Sequence, residues 1–220
     1  ASRLFLGRPK VIHMITNDRT KKYAMLMTLI LFGTALAGCL GTDDSDETET
    51  ATAAPVVTDA GYTYASNVDN HRALMKDLCD IKSAASSDGG YDFATAKDIY
   101  TNGKNAEKSD GSFRTLAGFA SADGKNHGYD AYYNQSGSVD AHIMAAMDGT
   151  GDFAGTSDTV RYQGIAKLTA NMGMVAYTIH ELNSAVAKAD AGNVDNDSGA
   201  PHNWDEGWAF FHGPDEDWSC

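Results

Sequence analysis

Cysteine is scarce: Cys39, Cys79 and Cys220 are the only three in 220 residues, and no two are spaced as CxxC or CxxCH. That excludes thiol-redox motifs and attached c-type haem. Basic residues are also few, 17 Lys and Arg against 30 Asp and Glu, for a formal charge of −13. A surface of that sign repels phosphate backbones and anionic lipid, so no nucleic-acid partner is expected. No apolar run reaches the roughly 20 residues that a membrane span needs. Missing too are GxSxG, a phosphate loop, a dinucleotide fingerprint, HExxH and repeated ExxH pairs. His180-Glu181 continues as Leu182-Asn183-Ser184, without the second histidine of a zinc protease. The chain is therefore read as not an enzyme.

With 42% hydrophobic and 10% aromatic residues, the chain is one that folds. Residues 1–13 contain no methionine, so the start is read at Met14. KKYAMLMTLILFGTALAGC, from Lys21 to Cys39, has the charged, apolar and small-residue parts of a secretory signal. Its Leu36-Ala37-Gly38-Cys39 ending resembles a lipoprotein box, in which the thiol of Cys39 is lipidated and anchors the mature chain to the cell membrane, at the cell surface or in the periplasm. Cleavage there leaves 11 basic and 29 acidic residues, a charge of −18 that suits metal cations or solubility in saline water. The expected organisation is residues 1–38 as upstream sequence and signal peptide, 39–60 as an acidic Thr-rich tether, and 61–220 as the folded domain. Outside the cytoplasm Cys79 and Cys220 are available for a disulfide, with each other or elsewhere.

Few segments alternate with period two, so the domain is expected to be mainly α with long ordered loops. Helices are predicted over Asn70–Ala85, Asp92–Asn102, Asp140–Met147, Ser157–Ala191 and from Pro201 to about Gly213. In the longest, Val160, Ile165, Leu168, Met172, Val175, Ile179, Leu182 and Val186 recur at helical intervals. Ser157 or Asp158 would cap it and Gly192 would end it. Residues 103–137 are too rich in Gly, Ser and Asn for a long helix and too aromatic for a disordered linker; they read as an ordered, functional loop.

Two helical segments carry chemistry. In YTIHELNSA, His180 and Glu181 adjoin, with Tyr177 one turn before His180. Either the pair serves a site, or one of the two faces the core with a satisfied hydrogen bond and the other is a solvated neighbour. In PHNWDEGWAFFHG, His202 and Glu206 share one face and Asp205, Trp208 and His212 another. Carboxylates among Trp204, Trp208, Phe210 and Phe211 are partly desolvated and require a countercharge, a hydrogen bond or a metal.

MDGTGDFAGTSDTVRYQGIAK, then YTIHELNSAVAKADAG and GAPHNWDEGWAFFHG, resemble in order and spacing the phytotransferrin family, the algal low-iron-inducible periplasmic iron-assimilation proteins. The likeness covers residues 129–213 and runs more weakly back to Gly61. The lipoprotein start departs from the algal pattern and points to a prokaryotic or archaeal relative. Members of the family continue past the last block, which leaves open that this chain is a piece of a longer one. The resemblance implies reversible binding of ferric iron (Fe3+) at a cell surface, with carbonate as synergistic anion and delivery to a downstream iron transporter or reductase. Ferric iron is a hard cation suited to phenolate, carboxylate and imidazole donors. Those expected are Asp205, Glu206, His180, Glu181 and His202, with a phenolate from Tyr129, Tyr132 or Tyr133. Arg161, near the start of the long helix, or Arg114 in the aromatic loop would hold the anion. The rival reading is a structural or partner-binding surface lipoprotein whose WDEGWAF helix is a buried aromatic element without metal.

Overall fold

A computed structural model describes residues 57–215; the signal segment, Cys39, most of the tether and Cys220 lie outside the described residues. The described part is mainly α, with one two-stranded ribbon. No helix in it is long and apolar enough to cross a membrane. The ribbon pairs β1 (Thr58–Asp59) with β2 (Tyr62–Thr63) across Ala60 and Gly61, both at positive φ, 50° and 78°. Two left-handed residues are what the twist of a tight hairpin asks for. The fold thus begins before Gly61. Asp59 is fully buried, and burial works against its charge. Arg72 (Nε 2.6 Å), the Tyr64 hydroxyl (2.6 Å) and the Asp215 N–H (2.9 Å) outweigh that and hold its carboxyl down at about 2.

Helix α1 (Asp69–Ala85) turns His71, Leu74, Met75, Ile81 and Ala85 inward. Asp92 caps α2 (Phe93–Asn102) by accepting from the Thr95 N–H at 2.9 Å. The segment read as one long loop contains two five-residue helices, α3 (Leu116–Ala120), capped by Thr115, and α4 (Tyr129–Tyr133), set between left-handed Gly128 and Asn134. Helix α5 (Ser138–Asp148) ends at left-handed Gly149. Leu74, Ile81, Tyr100, Ile143, Ile165 and Phe210 meet in one core.

The long helix runs as expected from the Ser157 cap to Asp190, but not as one α-helix. Between α6 (Asp158–Lys167) and α7 (Ala176–Asp190), residues Leu168–Val175 form a π-helix. Its wider turn inserts residues into the repeat and rotates everything downstream about the axis. Of the predicted stripe, Ile165 and Met172 are buried, Val160 at its start is exposed, and beyond Met172 the register slips. Val175 and Val186 face solvent, while Tyr177, Thr178, Glu181 and Ala185 are buried. Helix α8 (Ala200–His212) starts with Pro201 in its first turn. It lies close along α7: a Cβ on Gly207 would come within 2.8 Å of Leu182 Cδ2 and 3.6 Å of Glu181 Cβ.

Candidate functional site

The π-helix settles the choice between His180 and Glu181. Glu181 is the core-facing residue, 4% exposed, and His180 is half-buried beside it, its Nε2 4.0 Å from Glu181 Oε1. From α8, Glu206 enters the same space. Its Oε1 lies 3.1 Å from His71 Nε2 on α1 and 3.2 Å from His202 Nε2 one turn earlier. The carboxyl of Glu181 is the like-charged neighbour of Glu206, and it favours the protonated form of Glu206. Burial first, then the charge and hydrogen bond of Glu181, push Glu206 up to about 7, against the opposing fields of Arg114 and Lys125. Burial, with Arg114 and His202 adding to it, pushes His71 down to about 3. The contact between His71 and Glu206 is accordingly a hydrogen bond to a neutral imidazole rather than an ion pair.

The floor is aromatic. Phe119 meets Tyr177 edge to face at 4.7 Å and Phe210 at 5.1 Å, and Phe210 meets His71 at 5.2 Å. These rings exclude water from one side of the carboxyls, which is why their charge is so costly there. Above them Tyr177 OH is bound by Lys125 Nζ at 3.0 Å. Asn203 donates its amide to Glu181 Oε2. Polar atoms on the residues of this cluster are buried without a partner: His71 Nδ1, Arg114 Nε and Asn203 Oδ1. Gly103, at φ 77°, lets the segment of Phe113 and Arg114 close on the end of α2, since a Cβ there would sit 2.8 Å from the Arg114 carbonyl.

Asp205, expected among the ligands, points the other way. Consecutive helical residues are about 100° apart, and with Glu206 in the pocket Asp205 faces the N-terminal ribbon. It accepts from Tyr62 OH (2.6 Å), the N–H groups of Ala65 (2.9 Å) and Ser66 (2.7 Å), and Ser66 Oγ (2.8 Å). Three of these donors converge on Oδ2 and one on Oδ1, so the carboxylate is engaged with residues 62–66. Its role is one step removed. Because the Ser66 hydroxyl proton goes to Asp205, Ser66 Oγ accepts from His202 Nδ1 at 2.9 Å. That fixes the His202 tautomer and leaves the Nε2 lone pair aimed at Glu206, the arrangement that supports a metal-binding imidazole.

The other expected residues lie in three separate places. Arg161 is bound to the end carbonyls of α5, Ala146 at 3.1 Å and Met147, and its guanidinium covers the Phe93 ring at 3.9 Å. It closes the DGTG corner and offers nothing to an anion in the pocket. Tyr129, Tyr132 and Tyr133 gather on α4, where Tyr133 meets both other rings and lies 4.4 Å from the His142 ring. No hydrogen bond or ring contact among the described residues links them to Glu181 or Glu206. Arg114 is the arginine whose field reaches both His71 and Glu206. Sequence reasoning missed His71 and Lys125. His71 had a legible signal, a histidine on the apolar stripe with Leu74 and Leu78; Lys125 had none.

Among the described residues no three His, Cys, Asp or Glu side chains form a ready-made metal cage. The carboxyls and imidazoles are instead closed on one another through shared protons. Fold and site together define a mainly helical protein whose α1, α7 and α8 bring a carboxyl pair and three imidazoles into one pocket. The family model of the low iron-inducible periplasmic proteins (Fea1) matches residues 44–219, and the chain belongs to that family. The family description makes it an iron-related protein located outside the cytoplasm. No curated protein and no solved structure matches the chain.

Proposed function

We propose that the protein binds ferric iron as cargo in the pocket of His71, His180, Glu181, His202 and Glu206, with carbonate held by Arg114, and that it is a binding protein and not an enzyme. A lipid on Cys39 tethers it to the membrane, where the iron passes to a transporter or reductase. The observation that carries this reading is Glu206, placed between two imidazoles and a second carboxyl and pushed up to about 7. A group so placed holds a proton where a cation would be held better. Iron displaces that proton, joins the two carboxyls and turns the imidazole lone pairs toward itself. The unpartnered Arg114 Nε is a donor waiting for an acceptor, which an oxyanion on the bound iron supplies. The donors are borderline to hard, as iron requires.

The test is ferric binding by the full chain, with and without bicarbonate, at pH 8 and pH 5, beside Glu206→Gln. Binding should need bicarbonate and fail at pH 5, where protons compete for the same donors. It should be lost in Glu206→Gln. A well-folded wild type without ferric affinity at either pH overturns the reading in favour of the structural lipoprotein.

A further inference from the structure

We infer that Tyr177 is the phenolate ligand of the pocket and that Lys125 holds its oxygen ready for the metal. The inference rests on the pocket of Glu181 and Glu206 being the ferric site. Tyr177 stands one turn before Glu181 on α7, so the two side chains leave the helix on one face. Both are buried. The Tyr177 ring packs against His180 at 5.5 Å, Phe119 at 4.7 Å and Phe210 at 5.7 Å, which are wall and floor of the pocket. The charges of Glu181 and Glu206 act on Tyr177 and on Lys125 alike.

The hydroxyl of Tyr177 is placed unlike those of Tyr62, Tyr64 and Tyr100. Those three donate to the carboxylates of Asp205, Asp59 and Asp140 at 2.6, 2.6 and 2.8 Å, which holds each as a phenol. Tyr177 Oη instead accepts from Lys125 Nζ at 3.0 Å, and among the described residues no acceptor takes its proton. Burial keeps Tyr177 a phenol in the metal-free protein, and the ammonium group works against that. When ferric iron enters, the O–H proton passes to water or buffer and the lone pair it leaves binds the ion. Lys125 stays protonated and keeps its hydrogen bond to the same oxygen. A hard trivalent ion favours such an anionic oxygen. Charge gives a second argument, because buried charges have to be paired. Glu181, Glu206 and the phenolate match the three charges of ferric iron, while Arg114 and Lys125 match the two of carbonate. The filled pocket is neutral with the phenolate and carries one uncompensated positive charge with the phenol.

The test is a ferric titration of the full chain in bicarbonate at pH 8, followed by the visible phenolate-to-iron charge-transfer absorption and by competition with a chelator for affinity. The wild type should show the band. Tyr177→Phe keeps the ring and its packing, but it should lose the band and bind ferric iron at least about tenfold more weakly, the lower end of what even a residue that only orients a ligand contributes. The triple change Tyr129→Phe, Tyr132→Phe and Tyr133→Phe should keep band and affinity, and it decides the question where Tyr177→Phe does not fold. Iron bound by the wild type without the band, a band that survives in Tyr177→Phe, or a band lost in the triple variant overturns the inference and leaves the ferric pocket standing. A folded wild type that binds no ferric iron overturns both.

Discussion

Replacing Glu206 by glutamine should leave the metal-free protein more stable than wild type at pH 8 and not at pH 4. In the folded protein Glu206 is raised to about 7 from a usual 4.5. A carboxyl raised on folding contributes stability that is fully present below 4.5 and is lost as pH rises through 7. A shift of about 2.5 units at 1.36 kcal/mol each puts that loss at about 3 kcal/mol. Glutamine keeps the shape and the hydrogen bonds of the protonated carboxyl and cannot ionise, so the variant escapes the loss. His71 acts in the opposite sense: lowered from 6.5 to about 3, it gives stability present above 6.5 and lost as pH falls through 3. Because it touches Glu206, the comparison rests on the change above pH 6.5, where His71 is neutral both folded and unfolded. Urea unfolding of both, in chelator, across pH 4 to 8 measures the difference. The gap should open by about 3 kcal/mol in favour of Glu206→Gln as pH rises. A gap that does not change with pH would refute the placing of Glu206 in a desolvated carboxyl pair.

Asp205→Asn should lower unfolding free energy by about 3 kcal/mol, because four donors lose a charged acceptor; a shift in urea midpoint reads this directly. Arg161→Gln should destabilise by about 1–2 kcal/mol through the α5 carbonyls it abandons, with the bicarbonate requirement for iron intact. Arg114→Gln should do the reverse, dropping ferric affinity in bicarbonate to the level seen without it while the melting temperature stays near wild type. The double change Tyr132→Phe and Tyr133→Phe should leave ferric affinity within about twofold, since these rings sit with His142 and not with the carboxyls; a competition titration against a chelator tests it.

Much of the fold was legible because long amphipathic helices declare themselves. The predicted bounds of α1, α2, α5 and α8 agree with those observed to within a residue or two. Helices α3 and α4 were not legible, since five residues are too few to show a period and their ends rest on a threonine cap and on left-handed residues. At the site, Glu206 with His202 followed from i, i+4 spacing alone. Asp205 and Glu206 were read together because both are carboxylates, although successive helical positions face different ways. Arg161 and the three tyrosines were chosen for their chemistry, which says nothing of where the chain carries them. His71 joins α8 from 135 positions away in the sequence, a pairing that no local pattern encodes.

The π-helix between α6 and α7 makes the pocket depend on counting. Had residues 168–175 closed as ordinary α-helix, Tyr177 and Glu181 would have turned out toward solvent and the predicted valine stripe would have turned in. That alternative satisfies both backbone and apolar side chains, and it competes with the observed register for the same sequence. Removing a single residue between Leu168 and Val175 rotates all of α7 by about 100°. Such a deletion would spare the hydrophobic pattern and most of the helix while dismantling the carboxyl pair, so that a chain with every proposed ligand still present would lack the site.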